Sequence, residues 1–351
     1  MGKHDEGKKK SNIWKVIGII FLLLVTILVI VAGVALGYLY SKIDKMDIQE
    51  LDETDIGIDE TIKVQLSKYR NIAIFGIDSR ADDYGLGNRS DCIIIASLNQ
   101  ETNEIKLISL YRDTYMKMDE NKREVLDKIT HAYSYGGAQN AVKALNTNLD
   151  LNITEYVTVN FDALIAAVNA MGGITLDIDK SEIGYMNDYI AATSQSSGVK
   201  SSQITKTGKQ KIDGVQAVAY SRIRYTAGGE HKRTERMRTV LEAMLTKAKA
   251  LSLGKLNNLV DTVLPRVSTN INLADILELV PSITSFNIGD SIGWPYETRG
   301  TSTGVYYGVP VTLESNVIKL HQEVFEEQEY VPSETVKNIS NQIIKKTGYD
   351  K

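Results

Sequence analysis

The chain has 351 residues, 43% of them hydrophobic and 24% charged, with one cysteine, four histidines and a formal charge of -4. This composition excludes collagen-like, wholly disordered and disulfide-dense classes and leaves room for one large or two modest domains. The nearly neutral total conceals a segregation, because residues 1–40 hold five lysines against two acids while the rest holds 35 basic and 42 acidic residues.

The first element in chain order is an uncharged run of 24 residues from Val16 to Leu39. As a helix it would reach about 36 Å, enough to span a bilayer. Lys3, Lys8, Lys9, Lys10 and Lys15 precede it, whereas residues 41–60 carry eight acids and two lysines. That asymmetry predicts a cytoplasmic N-terminus and an outward-facing remainder. A cleaved signal peptide would have an apolar region of only about 7–15 residues, so a retained signal anchor is expected. The chain then divides into a basic cytoplasmic stub (1–15), a transmembrane anchor (16–39), an acidic linker (40–67), one domain (68–328) and a polar C-terminal tail (329–351).

Inside the domain, strand-like runs occur at Asn71–Ile77, Asp91–Leu98, Ile105–Leu110, Tyr156–Asn160 and Ile174–Ile178. Helical stripes follow at Ala138, Val142, Leu145 and Leu149 and at Phe161, Leu164, Ile165, Val168 and Met171. The fold class expected is α/β: an extracytoplasmic mixed-sheet domain flanked by helices behind a single N-terminal transmembrane helix. Prolines occur only from Pro265 onward, marking a looser C-terminal portion.

Cys92 cannot form an internal disulfide and sits in the apolar run Cys92-Ile93-Ile94-Ile95, which suits a core position better than a catalytic thiol. His4, His131, His231 and His321 offer no HExxH spacing, and there is no paired CxxC, so any metal should be a hard, oxygen-bound ion. Walker A and GxGxxG loops are absent. Gly300-Thr301-Ser302-Thr303-Gly304 matches GxSxG, but no strong strand precedes it, so a nucleophile elbow is not expected.

The link from Ser79 to Ser90 shows no helical stripe and that from Asn99 to Glu104 is a short polar turn, so both neighbouring pairs should be antiparallel. That arrangement gathers Asp78, Arg89, Asp91, Arg112 and Asp113 at one sheet edge. Two carboxylates there can hold Mg²⁺, which takes one or two protein carboxylates plus phosphate oxygens and water; a plain Asp-Arg ion-pair cluster uses the same residues. A second basic group follows. Arg222 and Arg224, two apart, would share a face of an extended chain. Beyond Gly228-Gly229 a helix stripe at Met237, Val240, Leu241 and Met244, continued backward, puts Arg233 and Arg236 on the inward side. Buried guanidinium groups near a helix N-terminus call for an anion or a carboxylate partner.

These segments resemble the LytR-CpsA-Psr family. The resemblance rests on Asn71 to Arg80 (NIAIFGIDSR), Arg89-Ser90-Asp91, Ser109-Leu110-Tyr111-Arg112-Asp113 and Lys128-Ile129-Thr130-His131-Ala132-Tyr133. It continues through Gly172-Gly173, Asp213-Gly214, Ala219 to Arg224, and Gly228-Gly229-Glu230 with Arg233 and Arg236. It implies an enzyme of Gram-positive cell envelopes, a phosphotransferase that moves a teichoic acid or capsular polysaccharide from undecaprenyl pyrophosphate onto peptidoglycan. By residue matching it implies that Asp78 and Asp91 hold Mg²⁺, that Arg89, Arg112, Arg222, Arg224 and Arg233 surround the pyrophosphate, and that Lys128 and Arg236 assist. Arg112, Asp113, Arg222 and Arg224 would serve the chemistry, with Asp113 a candidate proton acceptor or an orienting partner for Arg112. An apolar tunnel for the polyprenyl chain is implied as well. Glu230 and Met237 stand where the family usually has Asp and Gln. The partners expected are the lipid-linked glycopolymer, peptidoglycan and the membrane, without nucleic acid. The competing readings are a non-catalytic membrane-anchored receptor for wall precursors and a simple polyprenyl pyrophosphatase.

Overall fold

The computed structural model describes residues 47–79, 83–301 and 304–350. The predicted anchor at 16–39 and the basic stub lie outside the described residues, among which no helix is long and apolar enough to cross a membrane.

The first described segment is not a free linker. Strand β1 (Asp47–Ile48) pairs with residues 268–269, and helix α1 (Glu60–Gln65) is capped by Asp59, whose carboxylate accepts from the amides of Thr61 and Ile62. Ile56, Ile62 and Leu66 are buried, so the acidic surface of this segment covers an apolar underside.

Next come β2 (Tyr69–Ile77), β3 (Ser90–Asn99) and β4 (Glu104–Leu110), an antiparallel meander as the helix-free links predict. The hairpin of β5 (Tyr115–Glu120) and β6 (Arg123–Lys128) turns on Asn121 and Lys122, both at positive φ, the conformation that a two-residue hairpin loop requires. Helix α2 (Ile129–Leu149) contains the predicted 138–149 stripe and breaks at Gly136-Gly137, where Gly137 takes φ +63°. Strand β7 (Glu155–Val159) then returns parallel to β2.

Helix α3 (Phe161–Ala170) starts at Asn160, whose side chain accepts from the Ala163 amide at 2.8 Å. Strands β8 (Ile174–Ile178) and β9 (Gly208–Ile212) form a separate pair enclosing helix α4 (Ile183–Ser197) in sequence. Helix α5 (Gly214–Ser221) begins with a capping box between Asp213 and Gln216. Gly214 lies so close to α3 that a Cβ there would meet the Ile165 carbonyl oxygen, which explains a residue without a side chain at this position. The long helix α6 (Gly229–Lys249) follows.

The remainder comprises α7 (Leu253–Val263), β10 (Val267–Thr269), α8 (Leu273–Ser282), β11 (Asn287–Ile288), β12 (Ile292–Trp294), the hairpin β13 (Thr298–Gly300) and β14 (Gly308–Pro310), α9 (Leu313–Val324) and α10 (Glu334–Thr347). The main sheet has eight strands, ordered β1-β10-β7-β2-β3-β4-β11 with β12 also on β4, and mixes parallel with antiparallel pairs. The mixed α/β expectation therefore holds for the described residues.

Alternation along the central strands divides the two faces. Ala73, Phe75, Ile77, Ile93 and Ile95 pack into a core with α2, α9 and α10. Val336, Ile339 and Ile343 of α10 are buried in that same core, so residues predicted as a polar tail supply a structural helix. Ile72, Ile74, Cys92 and Ile94 point the other way, toward α3 and α6.

Candidate active site

A cavity of about 340 Å³ runs between that second sheet face and helices α3 and α6. Its wall is almost wholly apolar, including Ile72, Ile74, Val157, Leu164, Val240 and Met244. This explains why alternate apolar residues of β2 are only half-buried. The Cys92 thiol belongs to the wall, and burial pushes its pKa up to about 12, so it stays protonated and acts as an apolar side chain. Gly76 faces Cys92 so closely that a Cβ would sit 2.8 Å from the Cys92 Cβ. Two roomier depressions, about 440 and 500 Å³, lie along α10 and the β5–β6 hairpin and are open and polar-lined.

One part of the tunnel wall is charged, at Asp91 and Arg233. Asp91 Oδ1 meets Arg112 Nη1 at 2.5 Å, while Oδ2 meets Arg233 Nη2 at 2.9 Å and Arg224 Nη2 at 3.4 Å. Glu230 braces the two latter arginines, at 3.0 Å to Arg224 Nε and 3.2 Å to Arg233 Nη1. On the other side Asp113 Oδ1 is 3.8 Å from Arg112 Nε and 2.9 Å from Lys128 Nζ. One connected cluster therefore joins the start of β3, the segment after β4, the end of β6, the loop before α6 and the first turn of α6.

The strand ends produce this convergence as predicted. Asp91, Arg112 and Asp113 share the edge, and Arg224, Arg233 and Lys128 join them. Asp78 and Arg89 flank the paired ends Ile77 and Ser90, both exposed, with no ion pair among the described residues. Burial opposes the charge on Arg233, but Asp91 and then Glu230 more than offset it and hold its pKa above the ordinary arginine value. The Nε groups of Arg112 and Arg233 are buried without a hydrogen-bond partner. Unpaired buried guanidinium donors beside the cavity are groups able to take an anion.

Two expected placements come out differently. Arg222 and Arg224 do not share the face of a strand, because α5 continues to Ser221 and Arg222 keeps helical dihedrals at its C-cap. Arg222 turns to Phe161 and Tyr189, 5.1 Å from each ring centroid, and donates to Thr193 Oγ1 at 3.3 Å. Arg236 is buried as the stripe predicts, but a carboxylate meets it: Nε donates to Glu182 at 2.8 Å, Nη1 to the Ile223 carbonyl at 3.1 Å and Nη2 to Thr226 Oγ1 at 2.7 Å. It holds the 223–226 loop that carries Arg224, and each of its three nitrogens has a protein partner. Glu182, 54 residues away in sequence, carries no local signal of this role.

His231 and Tyr111 also escaped the sequence reading. Their rings stack at 4.1 Å and 24°, clasping the start of α6 to the end of β4 beside Arg112. Of the GxSxG string, Gly300 ends β13, and Ser302 and Thr303 lie outside the described residues.

The model of the LytR_cpsA_psr family matches residues 35–319. The chain belongs to that family. It is 29% identical over 273 residues to the polyisoprenyl-teichoic acid–peptidoglycan teichoic acid transferase TagU of Enterococcus faecalis, covering 76% of this chain and 82% of that protein. The corresponding transferase TagT of Bacillus subtilis is 27% identical over 324 residues, with 87% and 92% covered. Among solved structures of similar shape, a Streptococcus agalactiae protein superposes with a TM-score of 0.64 at 26% identity, covering 78% of this chain and 93% of that one. TagT with bound octaprenyl pyrophosphate gives 0.55 at 22%, with 86% and 99% covered, a likeness of fold. The expectation of a phosphotransferase-type enzyme of this family holds.

Proposed function

We propose that this chain transfers a glycopolymer from polyprenyl pyrophosphate, the undecaprenyl carrier of Gram-positive envelopes, to peptidoglycan. The observation that carries the reading is the joining of an apolar tunnel to an arginine clamp, since Asp91 and Arg233 belong to both. An amphiphile with a long hydrocarbon tail and a doubly anionic head matches that combination. The relatives' activity as teichoic acid transferases and the octaprenyl pyrophosphate held by TagT support the same ligand class.

In this reading a sugar hydroxyl of peptidoglycan attacks the phosphorus next to the glycopolymer. The new P–O bond forms as the bond to the leaving polyprenyl phosphate breaks, and the hydroxyl proton departs to a base. Such transfers need positioning and charge neutralisation above all. Arg112, Arg224 and Arg233 neutralise the phosphoryl oxygens, and Arg89 and Arg222 extend the positive surround. Asp113, held by Lys128, is the carboxylate available for the proton.

A hard divalent ion would draw on two carboxylates here. Asp91 uses three of about four lone-pair positions on arginines, and the Asp78 carboxylate is exposed with no partner among the described residues. Asp78 and Asp91 would hold Mg²⁺, which would neutralise charge on the pyrophosphate when bound. The uncharged run from Val16 to Leu39, with lysines before it, supports a single-pass anchor that leaves the domain outside the membrane.

The test incubates the detergent-solubilised chain with a lipid-pyrophosphate glycan, Mg²⁺ and peptidoglycan oligomers. A glycan-peptidoglycan product together with lipid phosphate is expected. Lipid phosphate alone would reduce the activity to a pyrophosphatase, and binding without turnover would leave a receptor. Full transfer by Asp78→Ala would remove the metal assignment.

A further inference from the structure

The clamp and tunnel accommodate the head and tail of the proposed donor and leave its sugar without a seat. A circuit of aromatic side chains adjoins them. Phe161, part of the tunnel wall, lies 5.1 Å from the Arg222 guanidinium, which also lies 5.1 Å from the Tyr189 ring. Tyr189 is one helical turn from Tyr185 on α4. The Tyr185 ring centroid is 6.1 Å from that of Tyr225, at an interplanar angle of 40°. Tyr225 directly follows Arg224, whose guanidinium reaches Asp91 and Glu230, so the circuit returns to the clamp.

Exposure rises along this path. Phe161 and Tyr189 are half-buried, Tyr185 is 38% exposed and Tyr225 71%. Three tyrosines are exposed among the described residues, and two of them are this pair. A single exposed aromatic residue needs no explanation, but two converging within one residue of a phosphate clamp form a surface. Tyr225 gains little from burial in the folded chain, so stability does not account for its position.

We infer that Tyr185 and Tyr225 form a sugar-binding rim for the pyranose attached to the donor pyrophosphate, an assignment that rests on the donor reading above. The polyprenyl tail enters the tunnel past Phe161, and the phosphates meet Arg224. The first sugar must therefore leave on the solvent side, where Tyr225 begins. A pyranose presents an apolar C–H face and hydroxyl edges, which suit a tyrosine's flat ring and its polar tip.

The experiment measures calorimetric binding to the full-length chain in detergent. The probes are a short polyprenyl pyrophosphate, the same lipid carrying one pyranose, and a free peptidoglycan disaccharide. For the Y185A/Y225A double variant, affinity for the bare lipid should equal wild type, while affinity for the sugar-bearing lipid falls about tenfold. Y185F/Y225F should retain most of the preference, since the rings remain. An alanine variant that keeps full preference for the sugar-bearing lipid overturns the rim, as does equal loss on both lipids. Loss confined to the free disaccharide would move the surface to the acceptor and also overturn the assignment. If wild type binds neither lipid, the donor reading fails and the rim with it, an outcome visible without any variant.

Discussion

Two polar clusters in this molecule are built from similar groups and are finished differently. At the start of α10, buried Asp150 accepts from Tyr330 Oη at 2.5 Å, from the Ser333 amide at 2.7 Å and from Ser333 Oγ at 2.7 Å. Tyr330 stacks on His321 at 3.7 Å, and His321 Nε2 lies 3.0 Å from the Leu149 carbonyl oxygen. Donors and acceptors match, and the cluster ties α10 to the end of α2. At the tunnel mouth, three guanidinium groups share the Asp91 carboxylate, and two Nε donors stay unpaired. A satisfied network fixes a structure, whereas surplus buried donors are capacity for a ligand.

Substitution should separate the two most sharply at their centres. Arg233→Met removes a guanidinium at the tunnel, and transfer in single-turnover assays is expected to fall about 10²–10³-fold, as for loss of one preorganised donor in other enzymes. Activity within tenfold of wild type would break the comparison. Asp150→Ala leaves one buried and two partly buried donors without an acceptor and should cost about 3–5 kcal/mol in urea unfolding, with transfer per folded molecule unchanged. A parallel loss of specific activity would show that the α10 lock also serves the site.

Legibility in the sequence follows the same division. The meander was readable because alternation and helix-free links constrain neighbours, and it delivered Asp91, Arg112 and Asp113 to one edge. The inward direction of Arg233 and Arg236 was readable from the α6 stripe, but their partners were not, because Glu182 and Asp91 lie 54 and 142 residues away. Arg222 is misplaced by the extended reading of the Arg222–Arg224 segment, because the preceding helix runs to Ser221 and Arg222 keeps helical dihedrals at its C-cap. The C-terminal helix hid for another reason. Val336, Ile339 and Ile343 form a narrow stripe within a polar stretch, and overall polarity masked it. Glu334, Lys345 and Lys346 on its outer face say only that it is solvated there.

The lock also makes a pH prediction. Burial is the main cause that lowers the His321 pKa from 6.5 to about 4, outweighing the Leu149 carbonyl. Between those values the unfolded chain binds a proton that the folded chain does not, so stability rises with pH across the window. The contribution is complete above pH 6.5 and is lost as pH falls toward 4, amounting to about 3 kcal/mol. A His321→Gln variant should show a flatter dependence of Tm over that range. Identical pH profiles would mean that His321 titrates in the folded state as it does in the unfolded one.

The smallest expected effect tests whether the buried Arg236–Glu182 pair belongs with the lock or with the mouth. Its hydrogen bonds are as complete as those of Asp150, yet its arginine grips the loop bearing Arg224. Glu182→Gln keeps the shape and an acceptor oxygen while removing the counter-charge, and should cost about 2 kcal/mol of stability. If the pair also positions Arg224, the variant should raise KM for the lipid donor under conditions where it is fully folded, and added Mg²⁺ should leave that rise in place. An unchanged KM would confine the pair to stability and place it with the lock, leaving Arg224 to be held by Asp91 and Glu230 alone.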